Sequence, residues 1–265
     1  MAHPLRVPTP KLRIIPVEHL FPHEEHDWQR SQPLIERLRH ATTLTNPPIV
    51  APINDQDYVV LDGANRYHSL CHLEYVQILC QVVDYQSEYV DLVTWHHVLT
   101  DTEFKHVTAL VSAHTTSGVE VAHITSRDGQ TLVLSTSDNS LTNRNKLLCT
   151  FTSNYLKFSA VHRTTLNHGE ELWSLFPTGC ALIQFTPYTP DEIMRSASKR
   201  ALLPPGVSRH IIQGRALQLE YPLNIILDTI QPLDEKNHDL NQWIIQKMSQ
   251  RAVRFYGESV YQFNE

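Results

Sequence analysis

Short, continuous apolar runs alternate with helically spaced ones through the first third of the chain. IVAPI at 49–53, YVVL at 58–61 and VQILCQVV at 76–83 have the length and β-branched content of buried strands. RIIPVEHLF at 13–21 predicts a further short strand that turns into PHEEHD. Leu34, Ile35 and Leu38 share one face of a helix predicted to open at Ser31-Gln32-Pro33, with Ser31 as N-cap and Pro33 in the first turn. ANRYHSLCHL at 64–73 predicts a second helix, entered from the YVVL strand through Asp62-Gly63. Asn46-Pro47-Pro48 and Asp55-Gln56-Asp57 punctuate these elements, and residues 1–12 are Pro-rich and extended. Roughly the first 85 residues therefore read β–α–β–β–α–β.

The pattern is sparser beyond residue 100. TLVLST (131–136) and TGCALIQF (178–185) predict strands, and the segments 141–156 and 190–200 predict helices. Thr189-Pro190-Asp191-Glu192 is a helix start, with proline at N1 and acids in the first turn. HDLNQWIIQKMSQR at 238–251 is amphipathic, and its Leu240, Trp243, Ile244 and Met248 share a face expected to dock on the body of the protein. The expected fold class is α/β of the α+β kind, with one unit at 1–98 and a second α/β unit at 99–265.

Composition narrows the function classes. The chain has 265 residues, 41% of them apolar and 19% charged, as in an ordinary globular protein. Its 22 basic and 28 acidic residues leave a formal charge of −6, which disfavours sequence-independent binding to nucleic acid. The four cysteines, Cys71, Cys80, Cys149 and Cys180, form no CxxC pair, so free thiols in a reducing compartment are expected. The N-terminus lacks an apolar signal core and no stretch of about 18 apolar residues occurs, from which a cytoplasmic, non-membrane protein is expected. Sixteen histidines invite a metal reading, but only His96-His97 and the His23/His26 pair lie close in sequence.

VVLDGANRYHSL is the segment richest in chemistry. Gly63 permits a tight turn, and the helix that follows presents unpaired N–H groups and a partial positive charge, a ready site for phosphate. Arg66, in the first turn, adds a fork of donors suited to phosphate oxygens. Asp62 stands at the C-terminal end of the strand, where α/β folds place ligand groups. By themselves these residues equally describe a common Asp-Gly turn with a capping aspartate and a surface arginine.

A strand followed by DGxxR, in this order of strands and helices, resembles the ParB/sulfiredoxin superfamily, where the box binds nucleotide phosphates. Pro22-His23-Glu24 resembles the corresponding segment of the free L-serine kinases in that superfamily, and LPPGVSRHII at 203–212 resembles their downstream substrate segment through Pro205, Ser208, Arg209 and His210. The resemblance implies a ParB/sulfiredoxin-like nucleotide-binding domain and phosphoryl transfer from ATP or ADP, with Mg²⁺, to the hydroxyl of free L-serine. The product would be O-phospho-L-serine, which commonly feeds cysteine or siderophore-type precursor synthesis. It makes Glu24 the catalytic base, and gives Asp62 a catalytic or Mg²⁺-binding role. Gly63, Ala64, Asn65, Arg66 and His68 become the nucleotide site; Trp95, in VTW at 93–95, becomes a wall of the serine site; Ser208, Arg209 and His210 hold the substrate. A carboxylate suits the base role because the attacking hydroxyl must lose a proton. Without the resemblance Glu24 reads as a solvated loop carboxylate and Trp95 as plain core.

The sequence departs from the family pattern at four positions. Ala64 and Asn65 stand where two histidines are usual, Val207 stands in place of the first threonine, and Gly206 in place of a lysine, which removes one cation from the expected pocket. These departures keep two further readings open: a ParB-like nucleotide- or DNA-binding regulator, and an inactive sensor. Sulfiredoxin chemistry needs a cysteine in the box, which Ala64-Asn65 does not supply.

Overall fold

The computed structural model describes residues 9–254. The chain opens with β1 (Lys11–Pro16), a short 3₁₀ turn at Val17–His19, β2 (Leu20–Pro22) and α1 (Trp28–His40), followed by β3 (Thr43–Leu44), β4 (Ile49–Pro52), β5 (Tyr58–Asp62), α2 (Ala64–His72) and β6 (Gln77–Val82). Next come β7 (Val90–Thr94), β8 (His96–Thr100), α3 (Phe104–His114), β9 (Val119–Ser126), β10 (Thr131–Thr136), α4 (Leu141–Tyr155), β11 (Ala160–Thr164), α5 (Glu170–Leu175) and β12 (Ala181–Phe185). The last elements are α6 (Pro190–Ser198), β13 (Ser208–Ile212), β14 (Tyr221–Pro222), α7 (Leu223–Leu227) and α8 (Leu233–Ser249). No helix among the described residues is long and apolar enough to cross a membrane, and all four cysteines are free thiols.

Two five-stranded sheets organise these elements. The first has the order β1-β6-β4-β5-β2 and mixes parallel and antiparallel pairs; the second, β10-β9-β12-β8-β11, is antiparallel throughout. The continuous apolar runs of the first sheet are explained by burial on both faces. Ile49, Ala51, Val59 and Leu61 join a core shared with Leu99, Ile124, Phe151 and Ile183 of the second half. The alternate residues Val50, Tyr58 and Val60 join a separate core on the opposite face. The period-2 geometry of a strand thus divides one apolar run between two cores.

The C-terminal part returns to that opposite face. Leu223, Ile226 and the fully buried Leu240 complete the core around Ile14, Val60 and Ile78, with Trp243 and Ile244 packed against it. Asn237 fastens α8 to β1: its Oδ1 accepts from Ile14 N at 2.8 Å and its Nδ2 donates to Ile14 O at 3.0 Å. Docking of the C-terminal helix is as the apolar stripe predicts, except that the helix begins five residues earlier, at Leu233, and that Met248, 47% exposed, lies outside the contact.

Two local expectations are corrected. The predicted strand 13–21 is broken after Pro16, which has no N–H to continue the ladder. The first helix starts at Trp28, not at Ser31. Its N-cap is Asp27, whose side chain accepts from Gln29 N, while Pro33 lies inside the helix and Ser31 is buried. Asp27 is the better cap because its carboxylate reaches the free N–H one turn earlier. Leu240→Ala, which removes a side chain with no exposed surface, should lower the unfolding free energy by about 2–5 kcal/mol, read from urea denaturation; an unchanged midpoint would show that α8 is not part of the cooperative core.

Candidate active site

The segment 203–208, between α6 and β13, crosses the seam between the two halves and is bonded on both sides. Toward the first sheet, Leu203 N donates to His23 O at 2.9 Å and Glu25 N donates to Leu203 O at 2.8 Å, an isolated parallel bridge that brackets Glu24. Toward the second sheet, Trp95 N donates to Val207 O at 2.9 Å. Both backbone polar groups of Gly206 are used. Its N–H donates to Glu24 Oε2 at 3.1 Å, and its carbonyl accepts from His97 Nε2 at 2.9 Å.

That carbonyl sets the tautomer of His97. A carbonyl only accepts, so Nε2 carries the proton and Nδ1 accepts from Tyr155 Oη, at 2.6 Å. Burial lowers the His97 pKa to about 4, which keeps the ring neutral at physiological pH. Tyr155, fully buried on α4, is therefore connected through His97 and Gly206 to the Glu24 carboxylate.

Glu24 is no solvated loop carboxylate. Burial pushes its carboxyl above the usual 4.5; His23, the Gly206 N–H and Arg163 pull the other way, and Asp62 adds to the rise. A carboxylate shifted upward accepts protons more readily, as a general base requires. Glu25, its neighbour, is exposed.

Asp62 ends β5 and Gly63 turns the chain into α2 with φ +87°, in the left-handed region that glycine tolerates. Its Oδ2 accepts from Arg66 Nη2 at 3.1 Å and from Arg215 Nη2, an arginine that nothing in the sequence singled out. Arg66 also reaches Asn46 O at 3.2 Å. The turn, the α2 N-terminus and two guanidiniums thus converge where phosphate was expected. Asn65 directs its Oδ1 to Asp27 N, at 2.9 Å, and to Ser31 Oγ, at 3.0 Å, so its carbonyl ties α1 to α2. Ala64 is buried beneath the turn. His68 stacks on His26 with ring centroids 3.4 Å apart, and burial, then His26 and His72, lower its pKa from 6.5.

The segment Ser208-Arg209-His210 is divided by strand alternation. Ser208 Oγ bonds His23 Nε2 at 2.7 Å, and His23 Nδ1 bonds Val60 O at 2.7 Å. His210 is buried, bonds Tyr85 Oη at 2.7 Å and the Leu61 carbonyl, and burial lowers its pKa to about 3. These two side chains brace β13 against the strand ends that carry Glu24 and Asp62. Arg209, on the other face of β13, lies over the Trp95 ring with its Cζ 4.1 Å from the centroid.

Gly206 is the clearest surprise. Its φ is +77°, and a Cβ there would fall on the Arg163 guanidinium, which comes from β11 of the second sheet. A cation therefore stands where the sequence comparison had counted one lost. Neither Arg163 nor β11 had a sequence signal, because the strand is short and mixed, AVHRT, at the edge of its sheet. His97 had one: it is half of the His96-His97 pair, and its role is a buried hydrogen bond.

A glycine turn at a helix N-terminus and a partly buried carboxylate thus lie at the seam of a two-sheet α+β fold. Similar folds and sequences occur among known proteins. SbnI from Staphylococcus aureus, solved with a C-terminal truncation, superposes with a TM-score of 0.70 over 89% of this chain and 97% of that one, at 20% identity. A free serine kinase in complex with AMP superposes with a TM-score of 0.68 over 83% of this chain and 96% of that one, at 15% identity. In sequence, an ATP-dependent L-serine kinase of Staphylothermus marinus is 37% identical over 84 residues, 31% of this chain and 33% of the relative. Its counterpart from Desulfurococcus mucosus is 35% identical over 83 residues, 31% of this chain and 32% of the relative. The match spans about a third of the length of these curated relatives, and no family model matches. This chain shares the fold of SbnI and of the free serine kinase, and about a third of its length is similar in sequence to the two L-serine kinases.

Tyr155→Phe leaves the His97 Nδ1 acceptor buried without its donor. It should lower stability by about 1–3 kcal/mol, measured by urea denaturation; a variant as stable as the wild type would show that the Tyr155 hydroxyl is not part of the support of Gly206.

Proposed function

We propose that this chain is a free L-serine kinase that transfers the terminal phosphoryl group of an adenine nucleotide to the serine hydroxyl, giving O-phospho-L-serine. The observation that carries the reading is Glu24: a carboxylate of raised pKa, held by the Gly206 amide and electrostatically coupled to Asp62 at the phosphate turn. The curated relatives are named ATP-dependent L-serine kinases, and the free serine kinase has been solved with AMP and with ADP, in some complexes after one glutamate was replaced by glutamine or alanine. Those facts support a nucleotide site here and a glutamate at the centre of the chemistry.

In this reading the amides at the start of α2, from Gly63, Ala64 and Asn65, receive the phosphates. Arg66, aided by Arg215, supplies positive charge beside Asp62, and His68 lines the same helix. Glu24 takes the proton of the serine hydroxyl as it attacks phosphorus. The stacked pair of Trp95 and Arg209 forms a wall of the acceptor site. Ser208 and His210 act through His23 and the Leu61 carbonyl, keeping the ends of β2 and β5 in register with β13.

Magnesium would accompany the nucleotide. Asp62, close enough to Glu24 to help raise its pKa, fits an ion that takes most of its ligands from phosphate and water; Asp62 would hold it, leaving Glu24 free to act as base. Once bound, it would neutralise charge on the transferring group.

Glu24→Gln should reduce phosphoserine formation by about 10²–10⁴-fold, measured by mass spectrometry with L-serine, Mg²⁺ and either ATP or ADP. A variant as active as the wild type would remove Glu24 as base. The direction of the pKa shift adds a pH signature. The base works ionised, so wild-type kcat/KM should fall as pH drops through a value above 4.5. For stability the sign is opposite. A carboxyl whose pKa is raised by folding favours the native state at low pH, and loses that contribution as pH rises through the folded-state value. Glu24→Gln should therefore melt no lower than the wild type at pH 7, and its relative advantage should vanish at pH 4.

A further inference from the structure

Arg163 and His97 are directly paired residues of β11 and β8 and so share a face of the second sheet. His97 bonds the Gly206 carbonyl, and Arg163 lies against the Gly206 α-carbon. Any side chain at 206 would occupy the place of the guanidinium, so glycine there is what admits it. The hydrogen bond that Arg163 makes among the described residues is long and to a neutral group, Nη2 to Pro205 O at 3.4 Å. No ion pair within 4 Å includes it among those residues. Yet it is partly withdrawn from water, and its charged surroundings are Glu24 and Asp27 on one side of the balance and Arg30 on the other. A partly desolvated guanidinium with unfilled donors is matched best by a bidentate oxyanion.

The placement selects which oxyanion. The nucleotide phosphates have their own cations, Arg66 and Arg215, on the first-sheet side around Asp62. Arg163 approaches from the second sheet, across Gly206 from that turn, and Gly206 itself bonds the base. An acceptor with its hydroxyl at Glu24 and phosphorus on the Asp62 side extends its other end toward β11. Arg209 is less suited, since its guanidinium is stacked on Trp95. We propose that Arg163 binds the α-carboxylate of the acceptor amino acid and so confines the enzyme to acceptors that carry one. This rests on the kinase reading above and assigns the acceptor contact within it.

The test compares L-serine with L-serinamide, which lacks the carboxylate charge, in wild type, Arg163→Gln and Arg163→Lys. Wild type should prefer L-serine strongly. Arg163→Gln should raise KM for L-serine about 10–100-fold, leave KM for the nucleotide unchanged, and bring the serine-to-serinamide ratio of kcat/KM close to one. Arg163→Lys, which keeps the charge and loses the fork, should lie between and guards against a glutamine variant that fails to fold. A ratio in Arg163→Gln or Arg163→Lys equal to that of the wild type overturns the inference, as does an equal loss of kcat on both acceptors with KM unmoved, which would place Arg163 on the phosphoryl group. If the wild-type protein phosphorylates neither acceptor, the kinase reading fails on its own account. Calorimetric binding of the two ligands to wild type and variant then decides the role of Arg163, and equal wild-type affinity for both overturns it.

Discussion

The site depends on the backbone of one residue. Gly206 donates its N–H to Glu24 and accepts at its carbonyl from His97, so a single residue ties the first sheet to the second. A buried peptide that lost either partner would be left with an unsatisfied polar group, at a cost comparable to a whole hydrogen bond. The Tyr155–His97 pair behind it is neutral and satisfied, which makes it rigid. Glu24 is thereby held by the core of the opposite half of the molecule rather than by its own loop, and a partly desolvated carboxylate can keep a defined position.

The same seam concentrates charge. Glu24 and Asp62 bring two carboxylates together, and Arg66, Arg215 and Arg163 approach from different elements. Removed from water, such charges interact more strongly than on a surface, and their balance governs how far each pKa moves. The net formal charge of −6 says nothing of this arrangement. Three arginines beside the Glu24 and Asp62 carboxylates are a local property, assembled from residues 66, 163 and 215.

Much of the first sheet was legible because its strands are buried on both faces, so β4, β5 and β6 read as continuous apolar runs, and Asp-Gly marked the entry to α2. The resemblance in Pro22-His23-Glu24 and Asp62-Gly63 drew attention to two residues that the fold does bring to one seam. Strands β7, β8, β11 and β13 were not legible from their pattern. They are five residues each, mixed in polarity, and three of them hold histidines or arginines whose partners are distant in sequence. The start of α1 was misread because Ser31 offered a capping signal that Asp27 pre-empts, and Ser31 bonds Asn65 instead.

The sequence by itself determined the elements of the Asp62-Gly63 turn, the amphipathic face of α8 and the two-sided burial of β4 and β5, since each follows from local periodicity or from a glycine that a turn requires. The tertiary structure alone decided that Ser208 and His210 point inward while Arg209 stacks on Trp95, and that Asn65 braces a helix. It alone decided that Arg163 fills the space left at Gly206. The physical reason is that hydrogen bonds and charge pairs across a sheet seam depend on register and packing between segments scores of residues apart, which no local pattern encodes.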